Sequence, residues 1–230
     1  MDARGKNISA PKSNISRLYT LSEEIFNSVS HGVGVILSIA ALALLSVWAV
    51  LYGDAYSIVS AAIYGTALIL LYIMSTLYHA LTNERAKKVF RIFDHCSIFL
   101  LIAGTYTPIT LVTLRGPLGW TTFGILWTMA ITGVVFNSVN MKKFKVYSLV
   151  CYIVMGWFAL FIIRPLIDSI EKNGLILLFA GGAAYTLGIT FYALKKFRYM
   201  HSIWHLFVLA GSVLHFFFIL FYVLPVDKLA

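Results

Sequence analysis

Charged side chains are scarce in this 230-residue chain: only 12% of its residues are Asp, Glu, Lys or Arg, and only 9 of these are acidic. Hydrophobic residues make up 60%, well above the share in an ordinary soluble domain. A chain with so little charge and so much apolar surface falls outside the soluble globular class. It is expected in a lipid bilayer.

The low cysteine content and the absence of lysine from the last apolar run exclude two other classes of protein, disulfide-rich secreted proteins and retinal proteins. The two cysteines, Cys96 and Cys151, both fall within apolar runs, so they do not form the framework of a disulfide-rich secreted protein. The last apolar run contains no lysine between Ser202 and Pro225. This excludes a retinal protein, which needs a Schiff-base lysine there.

Seven apolar runs are long enough to cross the hydrocarbon core of a bilayer. They are continuous where barrel strands would alternate, so they predict helices. The fold class predicted is therefore an all-α integral membrane protein, with residues 1–19 as a basic tail and residues 20–230 as a single seven-helix membrane domain. The predicted spans are 32–52, 57–79, 92–114, 119–137, 146–163, 173–194 and 202–224.

The 18 Lys and Arg residues are distributed unequally between the two ends of such a bundle. The N-terminal tail and the second, fourth and sixth connections carry 14 of them, and the opposite side carries 4. The positive-inside rule then predicts a cytoplasmic N-terminus and an outside C-terminus, the reverse of a G-protein-coupled receptor. The net charge of +9 is thereby explained by topology and by contact with anionic lipid, and it does not call for nucleic acid.

The segment before the first run predicts a short interfacial helix over residues 20–31. Thr20 and Glu23 have capping-box spacing, and apolar residues repeat at helical intervals. On the other face, Glu24, Asn27 and His31 project together. The spacing alone favours a solvated polar face, and the alternative is that these three side chains support a site formed by other residues.

Five polar side chains from three spans are predicted to lie at one depth, in the cytoplasmic leaflet. Ser75 and His79 are one turn apart at the end of the second span. Asp94 begins the third span, and His201 and His205 begin the seventh. Polar groups at membrane depth are costly and often functional. Each pair alone has an ordinary structural explanation, but the convergence in depth favours a metal site.

The residue types suit a catalytic zinc site. Three neutral imidazoles leave a fourth tetrahedral position open for water, and zinc lowers the pKa of that water to about 7. Asp94 could take its proton, and Ser75 could donate a hydrogen bond to a developing oxyanion. Iron(II) is the alternative if Asp94 is itself a ligand. Two other histidines, His95 and His215, point away or lie too deep and are predicted to be hydrogen-bonded packing residues.

These motifs resemble the haemolysin III family, the bacterial branch of the superfamily that contains the progestin and adiponectin receptors and is distantly similar to the alkaline ceramidases. The resemblance extends from about Glu23 to Pro225. It implies seven helices with the N-terminus inside. It also implies Zn²⁺ held by His79, His201 and His205, with Asp94 contacting the zinc-bound water and Ser75 in the same cluster.

Three functions are compatible with this sequence. The first is a zinc-dependent hydrolase acting on a lipid amide or ester in the cell membrane and linked to membrane lipid homeostasis. The second is a receptor-like sensor in which zinc clamps the helices without turnover, and the third is an ion transporter, which the lack of a polar path to the outer side disfavours. The name haemolysin carries little weight, because a multi-span bundle cannot readily leave its own membrane. Membrane lipids are the expected substrate or ligand, and the oligomeric state is left open.

Overall fold

A computed structural model describes residues 19–194 and 197–225, so the predicted basic tail lies outside the described residues except for its last residue. Regular structure in the described part is entirely helical, and six of its helices are long and apolar enough to cross a membrane. Two of them, α3 and α8, continue into π-helical turns, Ile109–Thr113 and Ile219–Val223. The helices are α1 Leu21–Tyr52, α2 Ala55–Ala80, α3 Glu84–Pro108, α4 Gly116–Asn140, α5 Lys145–Gly156, α6 Ile163–Ser169, α7 Lys172–Ala193 and α8 Met200–Phe218.

The fifth predicted span, 146–163, is not one helix. Helix α5 ends at Gly156, a single 3-10 turn follows at Phe158–Leu160, and α6 begins at Ile163. Glycine favours a helix end, and the ring of Pro165 would clash with the carbonyl of the residue four positions earlier in a continuous helix. The hydropathy of this run reflects its amino-acid composition, and it does not show where the helix is interrupted.

The predicted short interfacial helix at 20–31 is also corrected, because these residues form the first part of the continuous 32-residue helix α1. The predicted capping box at its start is confirmed. The backbone N–H of Glu23 donates to Thr20 Oγ1 at 3.4 Å, and Glu23 Oε2 accepts from the backbone N–H of Thr20 at 2.8 Å. Nothing breaks the helix at residue 31, so the segment enters the bundle directly.

The polar face of this segment differs from the favoured expectation. Leu21, Ile25 and Val29 are exposed, whereas Asn27 and His31 are buried, with 0% and 1% of their surface accessible. A solvated polar face is therefore wrong for these residues. The polar side chains turn inward because α2 and α8 provide partners for them, as described below.

The helices pack in an order that places α3 at the centre. Helix α2 packs between α1 and α3, and α8 packs between α1 and α7. In the most apolar stretch of α3, 78% of the residues are buried, against 28% in α1. Small residues permit the close approach: a Cβ placed on Gly104 of α3 would lie 2.8 Å from the Cβ of Ala67 in α2.

One end of the bundle, called the basic end below, collects the end of α2 and the starts of α3, α5 and α8. Tyr152 of α5 donates to the carbonyl of His95 in α3 at 2.7 Å, and Ser148 donates to Asn137 of α4 at 2.8 Å. At the opposite end, Asp54 caps α2 and forms an ion pair with Arg115. These contacts fix the direction of each helix around the site.

Candidate metal centre

Three imidazoles meet at the basic end of the bundle. His79 is in the last turn of α2, and His201 and His205 are in the first two turns of α8. The Nε2 atom of His201 lies 3.3 Å from that of His79 and 3.1 Å from that of His205. One potential ligand atom from each ring falls within 4.8 Å of the others.

Helix α1 supplies the group that orients the first of these rings. Glu24 accepts a hydrogen bond from His79 Nδ1 at 2.6 Å, and its other oxygen forms an ion pair with Lys87 of α3 at 2.8 Å. With its Nδ1 proton shared with this carboxylate, a neutral His79 presents the lone pair of Nε2 to the cluster. A carboxylate behind a ligating histidine is a recurrent feature of metal sites.

The other two rings are held by side chains that pack on their faces. The His31 ring stacks on His205 with centroids 3.6 Å apart, and the Tyr19 ring stacks on His201 at 4.7 Å. Burial, and then the neighbouring phenols of Tyr78 and Tyr192, raise the pKa of Tyr19. Its ring therefore stays neutral against the imidazole.

Several hydrogen bonds join the start of α1 to the start of α8, the helix that carries two of the three imidazoles. Ser202 donates to Asn27 Oδ1 at 2.6 Å, and the backbone N–H of Tyr199 donates to Glu23 Oε1 at 2.8 Å. Tyr199 has a left-handed backbone, with φ of 60°. By accepting this hydrogen bond, Glu23 holds the strained residue Tyr199, which immediately precedes α8.

The geometry of the three nitrogens fits a tetrahedral zinc ion. With Zn–N bonds of about 2.0–2.1 Å, two tetrahedral ligands lie about 3.3–3.4 Å apart, close to the 3.3 and 3.1 Å found between adjacent Nε2 atoms. Among residues 19–194 and 197–225, the buried hydroxyl of Ser75 has no hydrogen-bond partner, nor does either ring nitrogen of His31. Such buried polar atoms normally have partners, so the residues present fit a metal with its associated ligands.

Asp94 is buried in α3 and lies in the wall of an internal cavity together with His31. The Nδ1 atom of the neighbouring His95 lies 3.5 Å from Asp94 Oδ2. Asp94 is not one of the residues whose ligand atoms form the three-histidine cluster. Its connection to the cluster is through His31, which lines the same cavity and whose ring stacks on that of His205.

Neither His95 nor His215 belongs to the cluster. His95 Nδ1 donates to the carbonyl of Arg91 at 2.9 Å, and His215 Nε2 donates to the carbonyl of Leu178 at 3.1 Å. Both are hydrogen-bonded within the helical packing, as the spacing predicted.

Three contacts around the site could not be read from the sequence: Lys87 on Glu24, Tyr19 on His201, and Ser202 on Asn27. Glu24, Asn27 and His31 were noticed because they share a helical face. Their partners lie on other helices, from 41 residues away for Tyr72 on His31 to 175 for Ser202 on Asn27, and no local spacing signals such pairs.

Comparison with known proteins gives one consistent result. A family model described as Haemolysin-III related matches residues 19–216. The chain is 48% identical over 205 residues to Hemolysin-3 of Bacillus cereus, covering 89% of this chain and 94% of that protein. It is 45% identical over 213 residues to the Hemolysin-3 homolog of Bacillus subtilis, covering 93% and 100%. More distantly, it is 29% identical over 204 residues to the human Monocyte to macrophage differentiation factor, covering 86% and 83%.

Proposed function

The chain belongs to the haemolysin III family of membrane proteins, and from that premise we propose that it is a zinc-dependent hydrolase of lipid amides or esters. It is a multi-pass cell membrane protein. The convergence of three histidine side chains, with ligand atoms within 4.8 Å of one another at one end of the bundle, is the observation that carries the proposal. Three neutral imidazoles with an open fourth position are typical of catalytic zinc.

When bound, zinc would supply Lewis acidity and a water of lowered pKa. The roles of the protein groups follow from their positions. Glu24 holds His79 in one tautomer through Nδ1. Asp94 takes a proton and returns it to the leaving group from the cavity wall. The unpartnered hydroxyl of Ser75 donates to the developing oxyanion.

We also infer that the bundle crosses the membrane seven times, with the N-terminus cytoplasmic and the C-terminus outside. The broken segment from α5 to α6 begins beside Asn137 at the basic end. Further along it, the backbone N–H of Ala159 donates to the Tyr106 hydroxyl at 2.9 Å, deep along α3. Helix α7 then returns towards the basic end, where its Tyr192 ring lies 6.0 Å from that of His201. Both features support a seventh crossing.

The hydrolase is tested on the purified full-length protein by elemental analysis and by release of fatty acid from lipid amides and esters. We expect about one zinc per chain, and turnover that Asp94→Ala abolishes while metal is retained. His205→Ala should lose both metal and turnover. His215→Gln is the matched control, since His215 lies on the same helix outside the cluster, and it should keep the metal.

A second candidate function is a membrane sensor in which the metal clamps the bundle without turnover. The histidines join α2 to α8, and Glu24 adds α1, so the cluster connects the first two helices to α8, which is far from them in the chain. Zinc at one per chain with no turnover of any lipid amide or ester would exclude the hydrolase. A large fall in thermal stability on chelation would then favour the clamp.

A further inference from the structure

An elongated cavity of about 280 Å³ extends from the basic end deep into the bundle. Its lining residues on α3 and the π-helical turn that follows it repeat at helical intervals from Arg91 to Ile109, a distance of about 27 Å at 1.5 Å per residue. The hydrocarbon core of a bilayer is about 30 Å thick and holds two opposed chains. The cavity is therefore long enough for one extended acyl chain.

Away from the basic end, the cavity is lined mainly by aliphatic and aromatic side chains. Glycines widen it at two facing positions: a Cβ added to Gly156 of α5 or to Gly182 of α7 would meet no atom within 4 Å. Typical lining residues are Ile98, Leu101, Tyr106, Ile153, Phe179 and Val208. An apolar chain is the occupant that such a wall favours.

The end of the cavity at the basic end has a different character. Arg91 of α3, and Lys142 and Lys145 at the α4–α5 connection, all line it there; these three residues are called the basic mouth below. Within residues 19–194 and 197–225, none of the three forms an ion pair with a carboxylate. Two other basic residues are neutralised, Lys87 by Glu24 and Arg115 by Asp54.

We propose that the basic mouth binds the anionic headgroup of an amphiphile whose hydrocarbon chain occupies the cavity. Three uncompensated positive charges around one opening attract an anion and repel a cation. The acidic group nearest in the cavity wall, Asp94, is three residues beyond Arg91, about 4.5 Å deeper by the helical rise. Its negative charge keeps an anionic headgroup at the mouth.

The ligand is thus a single-chain or double-chain lipid carrying a carboxylate or a phosphate. Both groups accept the paired hydrogen bonds that an arginine donates, and both attract the ammonium of a lysine. A free fatty acid would supply the first and a phospholipid the second. This binding site does not depend on the proposed hydrolysis. Headgroup binding requires only the positive charge of the basic mouth, whereas hydrolysis would cleave an amide or ester bond near the histidines.

Binding is measured on the full-length protein in a neutral detergent, with three probes of equal chain length: palmitate, palmitoyl lysophosphatidate and neutral monopalmitoylglycerol. We expect at least one of the anionic probes to bind about 10- to 100-fold more tightly than the neutral one, and less tightly as salt increases. Preference for palmitate identifies a fatty acid, and preference for lysophosphatidate identifies a phospholipid headgroup.

Substitutions in the basic mouth distinguish binding at this site from nonspecific attraction to a positively charged surface. Lys142→Gln/Lys145→Gln should weaken anion binding and leave the neutral probe unchanged, and adding Arg91→Gln should remove the preference. Lys88→Gln/Lys143→Gln is the matched control, because both lysines are exposed in the same regions but do not line the cavity. Equal binding of all three probes, or equal losses in both variant pairs, would overturn the proposal. No bond is cleaved in this assay, so its result is independent of whether the protein proves to be a hydrolase.

Discussion

At the scale of single residues, the arrangement depends on which ring nitrogen of each histidine faces the others. In His79 that choice follows from Glu24, which accepts a hydrogen bond from Nδ1 at 2.6 Å and leaves the lone pair of Nε2 for the cluster. Lys87 holds the same carboxylate from the far side at 2.8 Å. One residue of α1 and one of α3 therefore orient a ligand carried by α2.

Glu24→Gln should weaken zinc binding by about 10- to 100-fold, because the amide keeps the shape of the side chain but loses the charge that stabilises the oriented imidazole. Competition with a chromophoric chelator measures the effect on purified protein. Glu84→Gln is the control, since Glu84 is an exposed carboxylate at the same end of the bundle. Unchanged zinc affinity in Glu24→Gln would show that the carboxylate does not orient the ligand.

The proximity of His79, His201 and His205 could be predicted from the sequence, because helical spacing and the alternating direction of the spans determine their depth in the membrane. It could not establish that Glu24 touches His79, since that contact depends on the rotation of α1 about its axis. The same rotation decided against a solvated face for Asn27 and His31. Rotation is set by packing with α2 and α8, which no local pattern contains.

At the scale of helices, close packing of α2 against α3 depends on small residues. The Cβ of Ala67 is fixed by its own backbone and cannot rotate away from a Cβ placed 2.8 Å from it at Gly104. The helices would have to separate to admit the extra methyl group. Because α3 carries Asp94 and one wall of the cavity, their separation would also alter the site.

Gly104→Ala should therefore destabilise the protein by about 1–3 kcal/mol through overpacking. Gly124→Ala, where the new Cβ meets no atom within 4 Å, should be neutral or stabilising by up to about 1 kcal/mol through helix propensity. Thermal unfolding in detergent compares the two. Adding Ala67→Gly to Gly104→Ala should restore part of the loss, and the absence of any rescue would contradict the contact.

The broken segment between α5 and α6 marks the limit of hydropathy as a guide to helices. Its apolar composition predicted one span, and the glycine at 156 and the proline at 165 explain why the backbone interrupts it. The interruption also contributes to the wall of the cavity. Gly156 and Trp157 both line it where α5 ends.

At the scale of the whole molecule, the proposed topology has a direct test. Both native thiols are buried, so a Cys96→Ala/Cys151→Ala background allows single reporter cysteines. Glu84→Cys lies at the basic end, and Asp168→Cys lies at the end of α6; both positions are exposed. With seven crossings and a cytoplasmic basic end, an impermeant maleimide should label residue 168 in intact cells and residue 84 only after permeabilisation. Protection of residue 168 in intact cells would indicate six crossings.

The sequence by itself determined that this protein is a helical membrane bundle with a histidine cluster near one end, because hydrophobic length, charge asymmetry and helical spacing are local properties of the chain. Only the tertiary structure decided how α1 is rotated, that α5 and α6 are separate, and that a cavity separates the helices beside Asp94. Those features depend on which helices pack together, and therefore on contacts between residues far apart in the sequence. The basic mouth is the clearest case: the sequence predicted that Arg91, Lys142 and Lys145 lie on one side of the membrane, and the fold brings them to the lining of one cavity.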